Sequence, residues 1–314
     1  MEELKEIQKL EGHTARDWSL AWNPTTGTVR IWQQNPSLSS NPWECKAVLD
    51  ETHTKSVRSC AWSPSGKLLA TASFDNTTAF WDVDNDFECV ATLVGHYDAV
   101  RSVAWNSSGS LLATCGRDEC VWIWEVLPGN EFEYLSILPG HTEDDVKMVR
   151  WHPFMDVLFS CSYDNTIKVW GPGDDDSDEW ECLQTLDESN NEHSATTKMV
   201  TCSDDLTLRI WGNDNSAKNK QTKNGDEFSP WRHLCTLSGH HDRTILSVHW
   251  SREGGIASGA ADDAICLFVE HNDELVEEPS PSYKLLLKKE KAHDMDVNSV
   301  QSFKENRQAS SLCK

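Results

Sequence analysis

Histidine, aspartate and tryptophan recur in this chain at a spacing that could serve acid–base chemistry. In three sets the histidine precedes the aspartate by 22 or 23 residues, and the tryptophan follows six residues later. These sets are His53 with Asp75 and Trp81, His96 with Asp118 and Trp124, and His141 with Asp164 and Trp170. In a fourth set His240 stands 22 residues before Asp262, and Phe268 replaces the tryptophan. Paired histidine and carboxylate groups are candidates for general acid–base catalysis.

The repetition of these sets argues against catalysis. An active site is one unsymmetrical group of side chains, whereas here the same group returns in successive units. We therefore interpret the nine residues of the first three sets as structural and predict no catalytic residue. One residue stands outside the pattern: in CGRDECVWIWEV (115–126), Arg117 places a large cation directly before the turn aspartate Asp118.

The sequence around these sets predicts β-strands. Apolar and small residues alternate, as in Leu111, Ala113 and Cys115, which is strand periodicity. Each unit offers three strands, and the following spacer offers a fourth, such as ECVATL (88–93). Four-stranded units that recur at about 43 residues indicate propeller blades. The pattern resembles the WD-repeat family over nearly the whole chain.

We therefore predict an all-β fold, a seven-bladed WD40-type β-propeller formed as a single domain by residues 1–300. Its units start near residues 13, 53, 96, 141, 193, 240 and 293, and residues 301–314 form an unpatterned tail. In the family that the pattern resembles, the repeat histidine, aspartate and tryptophan belong to one buried hydrogen-bonded set in each blade. The resemblance thus implies the same scaffolding role for the nine structural residues.

Three units are too short for a complete blade. The distance from histidine to tryptophan is 28 residues in the second unit, but 19 from His13 to Trp32 and 18 from His193 to Trp211. A deficit of about nine residues equals one strand and a turn. We predict that blade one lacks its second strand and blade five its inner strand. After Val300 the pattern ends, so blade seven should lack its middle strands beside KEIQKL (5–10), the candidate closing strand.

The propeller geometry predicts a partner-binding site at one rim. The residue before each turn aspartate lies at this rim, and each inner strand starts near it. In the second to fourth units those positions hold four cations and two aromatic residues: Arg58, Arg101, Arg117, Lys147, Phe74 and Tyr163. Charged and aromatic side chains at a rim are typical partner anchors, and arginine binds carboxylates bidentately. The expected ligand is an acidic peptide, such as a C-terminal tail with an aromatic residue; the alternative is four solvated charges.

Composition limits the other partners. The 314 residues include 51 acidic and 28 basic side chains, a formal net charge of −23, which disfavours binding to nucleic acid or anionic membranes. No apolar run approaches the roughly 20 residues of a membrane span, and the N-terminus MEELKEIQKL is too charged for a signal peptide, so we expect a soluble intracellular protein. The eleven cysteines form no CxxC motif, so we predict free core thiols rather than metal or cluster ligands, and no cofactor.

Several stretches resemble a more specific family. LEGHTARDWSLAWNP, ATCGRDECVWIWEV, HTEDDVKMVRWHP and TCSDDLTLRIW are similar to the WD-repeat family of cytosolic iron–sulfur protein assembly. The resemblance implies a non-catalytic propeller subunit of the cytosolic iron–sulfur targeting complex. Its implied partners are a small adaptor subunit, a HEAT-repeat scaffold and iron–sulfur apoproteins, in the cytoplasm and also the nucleus. The family's functional arginine before the turn aspartate corresponds to Arg117.

Other functions remain open at this stage. A different WD-repeat peptide-binding scaffold, such as a ubiquitin-ligase substrate receptor or a chromatin-peptide reader, would fit the composition equally well. A propeller enzyme would need an unrepeated acid–base or metal set at the channel mouth, and the sequence offers none. A third alternative is that the shortened blades leave the chain unfolded and inactive.

Overall fold

Strands and their connections make up the described part of the chain. In the computed structural model these residues are 4, 6, 8–10, 22–23, 28–35, 37, 43–50, 52–142, 145–173, 179–186, 197–213, 220–221, 227–251, 254–271 and 282–301. Within these ranges the elements are 24 β-strands and no helix. It follows that no described helix has the length and apolar character needed to cross a membrane.

Most of the strands form six antiparallel sheets, one for each of blades one to six. Blade one contains β1 (Trp22–Asn23), β2 (Thr28–Gln34) and β3 (Trp43–Leu49). Blade two contains β4 (Val57–Trp62), β5 (Leu68–Ser73), β6 (Thr77–Asp82) and β7 (Glu88–Val94). Blade three contains β8 (Val100–Trp105), β9 (Leu111–Gly116), β10 (Val121–Leu127) and β11 (Glu131–Leu138).

The second half of the chain repeats this plan with one insertion. Blade four contains β12 (Val146–Trp151), β13 (Leu158–Ser162), β14 (Ile167–Pro172) and β15 (Trp180–Leu186). Blade five contains β16 (Thr197–Cys202), β17 (Leu208–Asn213) and β20 (Trp231–Leu237), with a small hairpin of β18 (Lys220–Gln221) and β19 (Glu227–Phe228) between the last two. Blade six contains β21 (Ile245–Trp250), β22 (Gly255–Ala260), β23 (Ile265–His271) and β24 (Ser282–Lys289).

The predicted fold class, an all-β WD40-type propeller with shortened blades, is confirmed. In blade one, β1 pairs directly with the third strand of the usual blade, Trp22 lying opposite Val29, so no second strand stands between them. In blade five the described sheet has the order β16–β17–β20 and no inner strand. No described residue after β24 belongs to a sheet. The unit starts His13 and His193 and the tail residues 302–314 lie outside the described residues.

Neighbouring blades are held together by one apolar position of the third strand. Directly before the tryptophan stands an aliphatic residue or Phe80 that points towards the next blade. Phe80, Ile123, Val169 and Ile210 are fully buried there, each in a core that includes side chains of the following blade. Burying a side chain of this size contributes about 1.5–3 kcal/mol. The repeat therefore stabilises the ring through contacts between successive blades.

Hydrogen bonds between inner strands add to this packing. Trp105 Nε1 donates to Ala61 O at 3.1 Å, and Trp151 Nε1 donates to Ala104 O at 3.0 Å, so each inner strand is tied to the one before it. The amide of Val149 donates to Ser102 Oγ at 3.3 Å. These bonds fix the height of one blade against the next, which sets where the rim residues of adjacent blades meet.

Gln8 and Val300 contact blades one and six at the places where the outer and inner strands of a seventh blade would lie. The side-chain amide of Gln8 accepts from Trp43 N (3.2 Å) and donates to Trp43 O (3.1 Å). Gln184 on β15, the outer strand of blade four, makes the same two bonds to Trp231 at 2.8 Å each. Gln8 thus lies beside blade one as an outer strand would. On the other side, Val300 N donates to Ser247 Oγ at 3.0 Å, as inner strands do.

A buried histidine makes the folded state sensitive to pH. His152 precedes the turn between β12 and β13, and its Nδ1 accepts from Phe154 N (3.3 Å) and Met155 N (3.2 Å). Burial lowers the pKa of His152, so the ring stays neutral and its Nδ1 remains an acceptor in the folded state. Below about pH 6.5 the unfolded chain binds this proton more readily than the folded chain does. The free energy of unfolding therefore falls as the pH decreases through that value.

We expect the substitution His152→Asn to reduce this pH dependence. Asn106 holds the equivalent place in blade three, and its Oδ1 accepts from Gly109 N (2.9 Å) and Leu111 N (3.0 Å), so asparagine can replace the imidazole as acceptor. Urea unfolding of both proteins at about pH 7.5 and about pH 5.5 should show a smaller loss of unfolding free energy in the variant. Equal losses in the two proteins would contradict the role of His152.

Candidate partner-binding site on the propeller rim

Each turn aspartate is fixed by a buried hydrogen-bonded set. In blade three, His96 Nδ1 lies 2.7 Å from Asp118 Oδ2, and Nε2 lies 2.8 Å from Thr114 Oγ1. Trp124 Nε1 donates to the same hydroxyl at 2.9 Å. With its proton on Nδ1, the imidazole donates to the carboxylate and accepts from the hydroxyl, which in turn accepts from the indole. The set ties β9, β10 and the turn between them to the loop that precedes β8.

The same set occurs in blades two and four. His53 Nδ1 lies 3.1 Å from Asp75 Oδ2, and His141 Nδ1 lies 2.7 Å from Asp164 Oδ2. The hydroxyl that links histidine and tryptophan was absent from the sequence prediction. It belongs to Thr71 in blade two and Ser160 in blade four, in each case ten residues before the tryptophan. That fixed spacing was a signal from which the sequence could have revealed it.

The sixth unit corrects the sequence alignment. The pattern paired His240 with Asp262, but His241 makes the bonds, with Nδ1 at 3.0 Å from Asp262 Oδ2 and Nε2 at 2.7 Å from Ser258 Oγ. The reason is turn length: Trp250 pairs with Ile256 six residues later, whereas Trp105 pairs with Leu112 seven residues later. With one residue fewer in the turn, the next histidine comes into register. The ring of His240 packs edge-on against Phe268.

The carboxylates of Asp75 and Asp164 remain ionised at neutral pH. Burial by itself would raise the pKa of Asp75, but hydrogen bonds from His53 and Thr77 outweigh it and hold the pKa below its ordinary value. The pKa of Asp164 is lowered for the same reasons, with His141 and Thr166 as donors. Each of these two carboxylates thus accepts hydrogen bonds within its own blade, as a structural role requires.

At the rim, three guanidinium groups surround one aromatic ring. The guanidinium carbons of Arg58, Arg101 and Arg117 lie 4.8, 5.0 and 5.6 Å from the centroid of Phe74. The two blade-two residues are Arg58 on β4 and Phe74 after β5, whereas Arg101 and Arg117 belong to blade three. Cations at such distances are attracted by the negative face of the ring, by about 0.5–2 kcal/mol each. The structure therefore brings four of the six predicted rim residues into one group.

A carboxylate from blade four completes this group. Asp145 Oδ1 accepts from Arg117 Nε at 3.1 Å, and its Oδ2 is ion-paired with Arg101 Nη2. The Asp145 side chain is 7% exposed, whereas that of Arg117 is 49% exposed. The sequence prediction did not include Asp145, because nothing in its repeat position distinguishes it from the acidic residues around it.

The other two predicted residues lie together one blade further on. Lys147 Nζ is 3.5 Å from the ring centroid of Tyr163 and 3.6 Å from Asp204 Oδ2. Lys147 is thus partly neutralised by a carboxylate of blade five, and Tyr163 remains exposed. Together with the group around Phe74 they form what we call the rim site: Arg58, Phe74, Arg101, Arg117, Asp145, Lys147 and Tyr163.

Like charges lie close together in the rim site. Burial and the like charges of Arg101 and Arg117, which Tyr163 opposes, together lower the pKa of Arg58 to about 10. Burial, followed by repulsion from Arg117, also lowers the pKa of Arg101. Asp145 is ion-paired with two of the guanidinium groups, those of Arg101 and Arg117. An anionic ligand would relieve this repulsion.

Close packing at Gly116 fixes the position of the backbone at Arg117. A Cβ on Gly116 would lie 2.4 Å from Ala99 O, so only glycine fits there. The amide of Arg117 then donates to Ala99 O at 3.0 Å.

The turn that follows contains one polar atom without a partner: Asp118 Oδ1 is buried and has no hydrogen-bond partner among the described residues. In the other turns the same oxygen accepts from the residue two positions on, such as Thr77 Oγ1 at 2.6 Å and Thr166 Oγ1 at 2.8 Å.

The substitution Cys120→Thr should therefore stabilise the protein. Cys120 occupies the position of Thr77 and Thr166, and a threonine hydroxyl there could donate to Asp118 Oδ1. We expect a gain of about 1 kcal/mol in the free energy of unfolding and a rise of about 2 °C in Tm. The reciprocal substitution Thr77→Cys is the matched control and should lower Tm by a similar amount. A Tm of Cys120→Thr at or below that of the parent protein would contradict this account.

The described cysteines are free thiols. Burial raises the pKa of Cys115 and Cys161 and raises that of Cys202 to about 12, so these thiols are protonated at neutral pH. Within the ranges that the structure describes, no group of three or more histidine, cysteine or acidic side chains is placed to hold a metal ion.

Comparison with known proteins gives the family. The repeat described as "WD domain, G-beta repeat" matches residues 43–82, 87–125, 132–171 and 231–268. "Protein CIA1" of Arabidopsis thaliana is 60% identical, with 95% of this chain and 90% of that protein covered. "Probable cytosolic iron-sulfur protein assembly protein Ciao1" of Culex quinquefasciatus is 39% identical, over 96% of this chain and 92% of that protein. The chain belongs to the WD-repeat family of cytosolic iron–sulfur protein assembly proteins.

Membership of this family agrees with the geometry of the blades. "Probable cytosolic iron-sulfur protein assembly protein CIAO1 homolog" of Chlamydomonas reinhardtii is 42% identical, with 95% of this chain and 92% of that protein covered. Each matched repeat begins at or near the outer strand of one blade and ends near the third strand of the next, as 43–82 runs from β3 to β6. Residues 172–230, which include β16 and β17 of the shortened blade five, fall between two matches.

Proposed function

We propose that the chain is a non-catalytic scaffold of cytosolic iron–sulfur protein assembly that helps to deliver clusters to cytosolic and nuclear apoproteins by docking them. Its proposed partners are a small adaptor subunit, a HEAT-repeat scaffold and the apoproteins themselves, in the cytoplasm and also the nucleus. Family membership supports the process. The observation that carries the docking role is the group of three guanidiniums around Phe74 at an exposed rim.

This group suits a carboxylate ligand for two reasons. Arginine forms paired hydrogen bonds with a carboxylate, and such a pair costs about 2–5 kcal/mol to break once water is excluded. The protein as a whole carries a formal charge of −23, so a cationic group at one rim gives an acidic partner a defined place to bind.

We propose that the rim site takes acidic peptides, in particular C-terminal tails that end in an aromatic residue. The terminal carboxylate or an acidic side chain of the peptide would pair with Arg117. The exposed ring of Tyr163, 3.5 Å from Lys147 Nζ at its centroid, offers an apolar surface for the aromatic residue. A purely polar acidic peptide would lack the second contact and should bind less tightly.

The proposed function is tested by affinity purification of this chain from cytosol, with the partners identified by mass spectrometry. Recovery of the adaptor, the HEAT-repeat scaffold and iron–sulfur apoproteins would support it. Recovery of ubiquitin-ligase or chromatin components instead would favour a different WD-repeat scaffold, and recovery of chaperones alone would show that the chain does not fold in the cell. An unrelated propeller with the same tag serves as control.

A further inference from the structure

We propose that Asp145 is a positioning residue of the rim site: it holds Arg101 and Arg117 side by side against Phe74, so that they meet an acidic ligand as a prepared pair. This inference rests on the proposed function and adds a residue that acts through the arginines rather than on the ligand. Three features of Asp145 support this role: the anchoring of its backbone, the part of Arg117 that it leaves free, and the effect of its charge.

Asp145 is built into blade four and reaches the arginines of blade three. Its carbonyl accepts from Tyr163 N at 3.2 Å, which pins its backbone to the turn after β13. Its carboxylate spans Arg101 and Arg117 with one oxygen each. At 7% exposure the carboxylate is shielded from a partner, and so is most of Arg101, at 14%. Asp145 therefore fixes two side chains of a neighbouring blade from below the surface.

The bond to Arg117 leaves its outer edge available. Asp145 accepts from Nε, at 3.1 Å, so the two terminal Nη groups of this half-exposed side chain are not used in that bond. The guanidinium plane is also held near Phe74, at 5.6 Å from the ring centroid. A long side chain that is free to rotate loses rotamer entropy when a ligand fixes it. Because Asp145 already restrains Arg117, much of this entropy is lost before the ligand binds.

Charge alone predicts the opposite effect of removing Asp145. Since an acidic group repels an acidic ligand, a purely electrostatic account expects Asp145→Asn to bind acidic peptides more tightly. A positioning role expects weaker binding, because Arg58, Arg101 and Arg117 repel one another and would spread from the ring without the bridging carboxylate. The two accounts thus differ in sign, which makes the test decisive.

The experiment compares Asp145→Asn with Asp204→Asn. Asp204 is an exposed acid of the same rim, 3.6 Å from Lys147 Nζ, so this control removes the same charge without removing a bridge. The probe is a fluorescein-labelled hexapeptide with two aspartates and a C-terminal phenylalanine that bears a free carboxylate, and binding is followed by anisotropy. We expect Asp145→Asn to weaken binding at least tenfold and Asp204→Asn to leave it within twofold or to strengthen it.

The possible results distinguish a failure of the positioning role from a failure of the proposed function. Binding by Asp145→Asn that equals or exceeds that of the parent protein would overturn the positioning role while leaving the rim site in place. No binding by the parent protein would count against the proposed ligand instead.

A second measurement avoids the variant, in case the loss of a buried ion pair prevents folding. In the unliganded parent protein, ¹⁵N relaxation of the Arg117 Nε–H group should show a restrained side chain. Fast, unrestricted motion there would overturn the proposal.

Discussion

Replacing Arg117 by glutamate is expected to abolish most of the capture of acidic peptides. The substitution removes the most exposed guanidinium of the rim site and puts a carboxylate within reach of Asp145. Loss of an Arg–carboxylate pair costs about 2–5 kcal/mol, so the peptide affinity should fall by about thirtyfold or more. Anisotropy with the acidic hexapeptide measures the affinity, and co-purification measures the capture of whole partners.

Two controls accompany this prediction. Lys67→Glu makes the same kind of charge reversal at an exposed lysine in a different turn, between β4 and β5, and should leave capture unchanged. Half of the Arg117 side chain is solvent-exposed, so we expect Arg117→Glu to fold. Circular dichroism and a thermal transition check that it does. Unchanged capture by the folded variant would remove Arg117 from the site.

The substitution Thr114→Val should cause the largest loss of stability. Valine keeps the shape of threonine but removes the hydroxyl that serves both His96 Nε2 and Trp124 Nε1. Two buried polar groups would then lack a partner, and each such group costs about 1–3 kcal/mol. We expect the free energy of unfolding, measured by urea denaturation, to fall by about 2–5 kcal/mol.

The matched control is Thr92→Val on β7, where the threonine is exposed. Its effect should stay within about 0.5 kcal/mol, as for most surface substitutions. If both variants lost the same amount of stability, the hydrogen-bonded set of blade three would not be the reason. A loss confined to Thr114→Val would show that a repeat hydroxyl contributes to the whole propeller through its own blade.

The hydrogen-bonded set of blade three connects the interior of the blade to the rim. The Asp118 turn is held by His96 and Thr114 from within blade three, and Arg117 stands directly before it. Damage to the hydrogen-bonded set should therefore also displace Arg117, so loss of binding in Thr114→Val would not by itself mark a ligand contact. Only variants that keep Tm near that of the parent protein can define the rim site.

The sequence by itself determined the strands, their order and the repeating sets. Alternation and spacing are local properties of the chain, so the strands of blades two to four and the shortened sheets of blades one and five could be predicted. The rim positions of Phe74 and Arg117 followed as well, because each is defined by its distance from a turn aspartate. A residue at fixed spacing from a turn has its direction set by strand geometry alone.

Only the tertiary structure decided which side chains meet across blades. Asp145 belongs to blade four but pairs with two arginines of blade three, and Lys147 is drawn towards Asp204 of blade five instead of joining Phe74. The replacement of His240 by His241 depended on one residue in a turn that the repeat pattern does not register. These outcomes depend on the height and angle at which one blade packs against the next. That packing depends on side chains far apart in sequence, so the spacing within one repeat does not contain it.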